Sequence, residues 1–381
     1  VVLMLFLCQA NVQTSYTWTG AVSTAWNTAA NWSPAGIPGG ADNVTIKSAG
    51  NNCLLNANTG INNITVTSGV LDLGGYTLTV SGPAASFSTG TVQNGMVSIT
   101  GAATTVFGNG PMTMNCIVNI VSDAVTIRNT IFQNGASITK TGASNDNSYG
   151  GNTFNGTTTV TNAGAGYIRL ASTAPDIFNG PVDFNNTGSS SIYPAYNSTG
   201  NIFKGITTFN NTPTGNTAIY VSWYSPGTVF NDRIIVNSTN GLGVQFCGGN
   251  ATASAALSSG KTIGVGAGGF SSGTLLLRQF TQAGATPQNF ILTGTGILTY
   301  GPSSSFDGDI TATSPSLFLN GAVFNGAASF TKTGTTGDYS AGGNIFNGVC
   351  SFTNTGSNYI LLGNAKPDTW NDDVTFTNSG S

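Results

Sequence analysis

The sequence predicts an all-β chain, a right-handed parallel β-solenoid (β-helix) with coils of about 24 residues. Three observations predict it: a composition hostile to helices, a long internal repeat, and a shorter repeat inside it marked by aromatic residues with small or apolar partners on the same strand face.

The 381 residues include 53 Gly, and Gly, Thr, Asn and Ser together make up about half the chain, far from ordinary globular usage. All 13 acids are Asp; there is no Glu and no His, and only ten residues are Lys or Arg. The good helix formers are therefore scarce, while β-branched residues abound. The 21 Phe, 11 Tyr and 5 Trp argue against disorder, because so many rings demand burial. Without His, Ser-His-Asp and Cys-His catalysis are excluded within the chain, as are His-ligated zinc and haem. A net charge of −3 with scattered bases leaves no basic patch, so no nucleic-acid partner is expected.

The elements follow in chain order. Residues 1–15 read as the remnant of a secretory signal peptide. Its apolar run Val1 to Leu7 is too short to span a membrane. The expectation is a secreted or extracellular cell-surface protein with no membrane span. Beyond Cys8, the cysteines are Cys53, Cys116, Cys247 and Cys350. Their wide spacing forms neither a metal knuckle nor a redox pair and leaves their disulfide state open. Residues 16–106 are expected to be an N-terminal cap with the first coils, 107–298 a first long repeat, and 299–381 a truncated second one. Residues 141–188 recur at 333–380. Thr141-Gly142 returns as Thr333-Gly334, Phe154-Asn155-Gly156 as Phe346-Asn347-Gly348, Tyr167-Ile168 as Tyr359-Ile360 and Pro175-Asp176 as Pro367-Asp368. The second copy stops mid-pattern at Ser381, so a piece of a longer chain is expected.

Inside the long repeat, Phe132, Phe154, Phe178, Phe203, Phe230, Phe324, Phe346 and Trp370 act as anchors, expected to stack as a ladder. Each is followed six positions later by an apolar residue, as in Phe154/Val160 and Phe178/Phe184, and four positions later by a small or apolar one. Even spacings put all three on one face of a strand. Turns such as Asn186-Thr187-Gly188 and Lys140-Thr141-Gly142 follow, where Asn and Gly tolerate a left-handed backbone. One such coil cannot bury its own apolar face, but a stack can. Lys140 and Lys332 recur at one turn, where they are expected to cap carbonyls or discourage edge pairing.

Residues 16–46, with Tyr16-Thr17-Trp18-Thr19-Gly20, Trp26-Asn27, Asn31-Trp32 and Gly36-Ile37-Pro38-Gly39, resemble the opening of bacterial cell-surface β-helix proteins, the autotransporter-type passengers and related adhesins. The Phe-Asn-Gly coils from 132 onward resemble long Bacteroidetes surface repeat proteins. The resemblance implies a Trp-rich cap, export and a surface role.

Candidate chemistry is sparse. Asp307-Gly308-Asp309, Asp372-Asp373 and the adjacent Asp232-Arg233 are the places where calcium and a basic residue would serve a polysaccharide lyase. Asp232 and Asp372 fall where other coils carry a turn Gly, so turn residues are expected there. The least regular stretch, 241–305, would hold a catalytic loop, yet it contains no Asp. Arg169 is matched by Leu361 in the second copy and so is not needed by the coil itself. Tyr193, Tyr196, Tyr220, Trp223 and Tyr224, with Tyr149 and Tyr167 nearby, are candidates for a glycan-contacting flank, since rings pack on pyranose C–H surfaces. The expected function is a structural or adhesive, non-catalytic surface module without a cofactor, touching glycans or another cell surface. Its alternative is a calcium-assisted lyase. Edge-to-edge self-association is a third reading.

Overall fold

The computed structural model describes residues 13–380; the apolar segment Val1–Leu7 and Cys8 lie outside the described residues. Apart from one 3-10 turn at Ala29–Asn31, the regular elements are β-strands. Each turn of the chain lays down three of them. On the first face lie Thr153–Phe154, Ile177–Phe178 and Ile202–Phe203; on the second, Thr158–Asn162, Val182–Asn186 and Thr207–Asn211; on the third, Ile168–Arg169, Ile192–Tyr193 and Ala218–Val221. Each of these strands pairs in parallel with its counterpart one turn on. Phe154 thus lies on Phe178, Phe178 on Phe203 and Phe203 on Phe230. The result is a β-solenoid of about 15 turns. At about 4.8 Å per turn this is a rod roughly 70 Å long.

The coils average about 22 residues rather than 24. The offset between paired residues of neighbouring turns runs from 18, at Ala136 and Val118, to 32, at Phe270 and Ser238. Register fixes the strands, so length variation is pushed into the corners. On the first face the stretch 241–305 keeps the stack, with Leu257 paired to Phe230 and Gln282 to Leu257 and Phe306, while the second-face ladder bulges at Ile263–Phe270 and restarts at Gln288–Ile291. Its periodicity is hidden because those two anchors are not aromatic. The buried Gln282 satisfies its own amide, donating to the Ala283 and Gly284 carbonyls and accepting the Gly308 N–H.

Inward side chains form ladders. Ring centroids on the first face are 4.9 Å apart for Phe132 and Phe154, 4.7 Å for Phe154 and Phe178, 5.0 Å for Phe178 and Phe203, and 4.7 Å for Phe203 and Phe230. In the second copy Phe324, Phe346 and Trp370 stack at 5.1 and 4.3 Å. A second ladder on the second face stacks Phe184 on Phe209 at 5.5 Å, edge-on to the first. Offset stacks and edge contacts are what aromatic quadrupoles favour.

The last inward position of the second face is polar. Ser122, Lys140, Asn162, Asn186 and Asn211 occupy it in successive turns, all fully buried. Asn186 donates to Asn211 Oδ1 at 2.9 Å. Lys140 points its ammonium at the Gly142 carbonyl at 2.5 Å, and Lys332 does the same to Gly334 at 2.6 Å. Burial lowers the Lys140 pKa, while Asp146 and Asp123 oppose the shift. These lysines cap carbonyls from inside the rod, where an edge-strand guard has no use. Asn serves the same position in neighbouring turns. Lys140→Asn is therefore expected to change stability by under about 1 kcal/mol, whereas Lys140→Leu orphans buried carbonyls and costs about 2 kcal/mol. Chemical denaturation of the two variants checks this; equal losses would exclude the capping role.

An exposed amide strip follows the anchors. Asn155 donates to Gln133 Oε1 and Asn179 to Asn155 Oδ1, both at 2.6 Å; Asn325 donates to Asp307, Asn347 to Asn325 and Asn371 to Asn347, each at 2.7 Å. The corner after the third face takes a left-handed residue. Gly108 (φ 74°) and Gly342 (φ 82°) stand there, and a β-carbon would run into the Arg128 and Lys366 carbonyls.

At the N-terminal end, Ser15–Trp18 pairs with Asn43–Ile46 and with Trp32–Ser33. Trp18, Trp26 and Trp32 are buried edge to face, with centroids 4.9 and 4.7 Å apart. Trp18 donates to the Asn51 carbonyl and Trp32 to that of Trp26. The four cysteines are free and buried. Burial pushes the Cys116, Cys247 and Cys350 thiols up to about 12 and Cys53 higher still, so they act as apolar filler.

Candidate functional site

The sequence-derived ring cluster gathers on the outside of the third face. Alternation forces this placement: in Ile168–Arg169 and Ile192–Tyr193 the Ile side chains are fully buried, so Arg169 and Tyr193 face out. Tyr220 continues the outward row, and the corner that follows it supplies Trp223 and Tyr224; the corner after Tyr193 supplies Tyr196. All five rings are half-buried. Tyr193 stacks on Tyr220 at 5.1 Å and meets Tyr196 and Trp223 edge-on at 5.4 and 6.3 Å. Tyr220 and Trp223 are 4.2 Å apart, and Tyr196 and Tyr224 are 5.4 Å apart. β-Carbons on Gly248 and Gly249 would strike Trp223, so these two glycines make room for that indole.

Arg169 is the residue that sequence reasoning left without a role. Its guanidinium lies 3.9 Å from the Tyr167 ring centroid, 4.0 Å from Tyr196 and 5.1 Å from Tyr193. It also donates to the Tyr167 hydroxyl at 3.0 Å and to Asn147 Oδ1 at 3.4 Å. It is a cation–π clamp that joins rings from two turns. Burial raises the phenol pKa of Tyr193 and of Tyr220, so both stay neutral donors. The packing has a chemical consequence. Ring faces turned to one another are closed to a sugar, and the flank offers mainly edges and hydroxyls. Tyr149, half exposed, stands apart with Arg128 over its ring at 5.3 Å.

The acids do not converge. Asp232 Oδ1 accepts the Arg233 N–H at 2.8 Å and pairs with Lys261 at 3.1 Å; Asp372 Oδ1 likewise accepts the Asp373 N–H. Asp307 accepts from Gly284 and Asn325, and Asp309 from Ala327. Among the described residues no group of three Asp or Cys is placed to hold a metal ion, and no helix is long and apolar enough to cross a membrane.

The anchors Phe132, Phe154, Phe178, Phe203, Phe230, Phe324 and Phe346 are buried to within 1% and take part in no surface; Trp370 packs against the same core. No family model matches the chain, and neither does any curated protein or solved structure.

Proposed function

We propose that this chain is a secreted, cell-surface β-solenoid with a structural or adhesive role, a non-catalytic rod that contacts glycans along its flank. The observation that carries the reading is the parallel stacking, continuous on the first face from Cys53–Leu54 to Thr369–Trp370. Strand pairs run from Ser15 to Asn378, the interior is filled by ladders, and the carboxylates of Asp232, Asp307, Asp309 and Asp372 each accept a local or inter-turn hydrogen bond. Such stacking makes a stiff spacer, because every turn is bonded to the turns on either side. The aromatic flank adds a polar-rimmed contact area on one side only. The Trp-rich opening and the Phe-Asn-Gly coils support export to a surface by resemblance alone.

The test is a panel of immobilised polysaccharides, with and without calcium, scored for retained protein and for new chain ends. Retention without cleavage is expected, with or without calcium. New chain ends that require calcium would overturn the reading and direct attention to Asp232 and Arg233.

A further inference from the structure

We propose that a notch around Phe318, on the corner between the second and third faces, binds a neutral pyranose unit of a polysaccharide. The inference rests on the glycan-contacting reading above and places the sugar elsewhere than the tyrosine flank. The notch arises from corner length. Ile310–Ser314 on the second face reaches Ser316–Leu319 on the third through Pro315 alone. The turn before it spends residues 292–296 on this corner and the turn after it 333–337. A one-residue corner between two long ones leaves a groove of about 540 Å³, lined by Ile297, Pro315, Ser316, Phe318, Thr336 and Gly337 among others. That volume lies within the range of small-ligand sites.

The lining suits a sugar. Leu317 and Leu319 are buried, so Phe318 between them faces out, half-buried. Unlike Tyr193 and Tyr220, it has no ring partner among the described residues, so a ring face is free to take pyranose C–H groups. Ser316 Oγ and Thr336 Oγ1 sit 2.9 Å apart, a hydroxyl pair that can donate and accept. The one acid in the wall, Asp338, is fully buried, with Oδ2 accepting the Leu317 N–H at 2.8 Å. The lining thus offers a ligand no exposed charge, which favours a neutral sugar over a uronate.

The internal repeat supplies a control. In the first copy the same corner is built on Asp146, whose Oδ2 accepts the Val125 N–H at 2.7 Å. There Thr105, Asp123 and Thr126 occupy the places of Ile297, Pro315 and Phe318. The coil therefore forms without the ring, and Phe318 is surplus to folding.

The test uses the intact chain and Phe318→Thr, with cellohexaose, maltohexaose and mannohexaose as neutral probes and a galacturonate hexamer as the anionic one. Binding is read by calorimetry and saturation-transfer NMR. Expected are binding of at least one neutral probe, a loss of fivefold or more in Phe318→Thr with an unchanged melting temperature, and little effect of Trp223→Ala. Binding that Phe318→Thr leaves intact, no binding of any neutral probe, or equal binding of the galacturonate hexamer would overturn the assignment. Polysaccharide retention lost in Trp223→Ala but kept in Phe318→Thr would sink the notch and leave the adhesive rod standing. Calcium-dependent cleavage would sink the rod reading itself.

Discussion

Phe178→Ala is expected to destabilise the rod by about 3–5 kcal/mol, the range for emptying a fully buried aromatic site. Both faces of the ring are covered, by Phe154 at 4.7 Å and Phe203 at 5.0 Å, and Phe184 meets it edge-on at 5.8 Å. Collapse cannot heal the gap, because hydrogen-bonded strands hold the turns at a fixed spacing. Phe178→Leu keeps most of the volume and is expected to cost about 1–2 kcal/mol. Stability in a stack is passed between nearest neighbours. Amide exchange should therefore accelerate first in Thr153–Phe154 and Ile202–Phe203, and last in the Trp-capped end. Uniform acceleration along the chain would show that the rod melts as one unit.

The second large effect is on pH. Asp176 is fully buried, and burial pushes its carboxyl up from 3.8 to about 7 against the opposing hydrogen bonds from Asn152. Oδ1 accepts both the Asn152 backbone N–H and its side-chain amide at 2.9 Å, while Oδ2 has no partner. Between those two pH values the folded chain holds a proton that the unfolded chain has released. Stability from this group is therefore complete below about pH 4, falls as pH rises, and is flat above about pH 7, a loss of about 4 kcal/mol. Asn occupies the flanking turns at this corner, as Asn152 and Asn201, and Asn201 Oδ1 accepts the Asp176 N–H. Asp176→Asn is thus expected to fold, to lose that slope, and to exceed the parent in stability at pH 8. Denaturation midpoints at pH 4, 5.5 and 8 decide it. A difference between parent and variant that stays constant with pH would show that the carboxyl titrates normally.

Much of this fold was legible because its signals are local. Phe154/Val160 and Phe178/Phe184 have the even spacing of one strand face, and a 192-residue copy repeats the pattern, Thr141-Gly142 becoming Thr333-Gly334. Leu257 and Gln282 broke the pattern because the ladder needs a side chain of suitable volume with satisfied polar atoms, and a ring is only one way to supply it. The site was less legible. Clustering in sequence located Tyr193, Tyr220 and Trp223 on one flank, but composition cannot say that their faces close on one another. Arg169 looked expendable by comparison with Leu361, yet its role depends on Tyr193 and Tyr196 one turn on. Phe318 hid inside Leu317-Phe318-Leu319, an apolar run in which only register tells outward from inward.

The amide strip gives the rod a polarity. Each rung after the first donates to the rung before it, and each rung but the last accepts from the rung after it. A carboxylate has no proton to give at neutral pH, so it fits only where no earlier rung needs a donor. Asp307 holds that place in the second copy. The strip is therefore a one-way sentence with Asp307 as its capital letter: further Asn-bearing turns extend it toward the C-terminus, and an acid inserted at Asn325 or Asn347 would cut it in two.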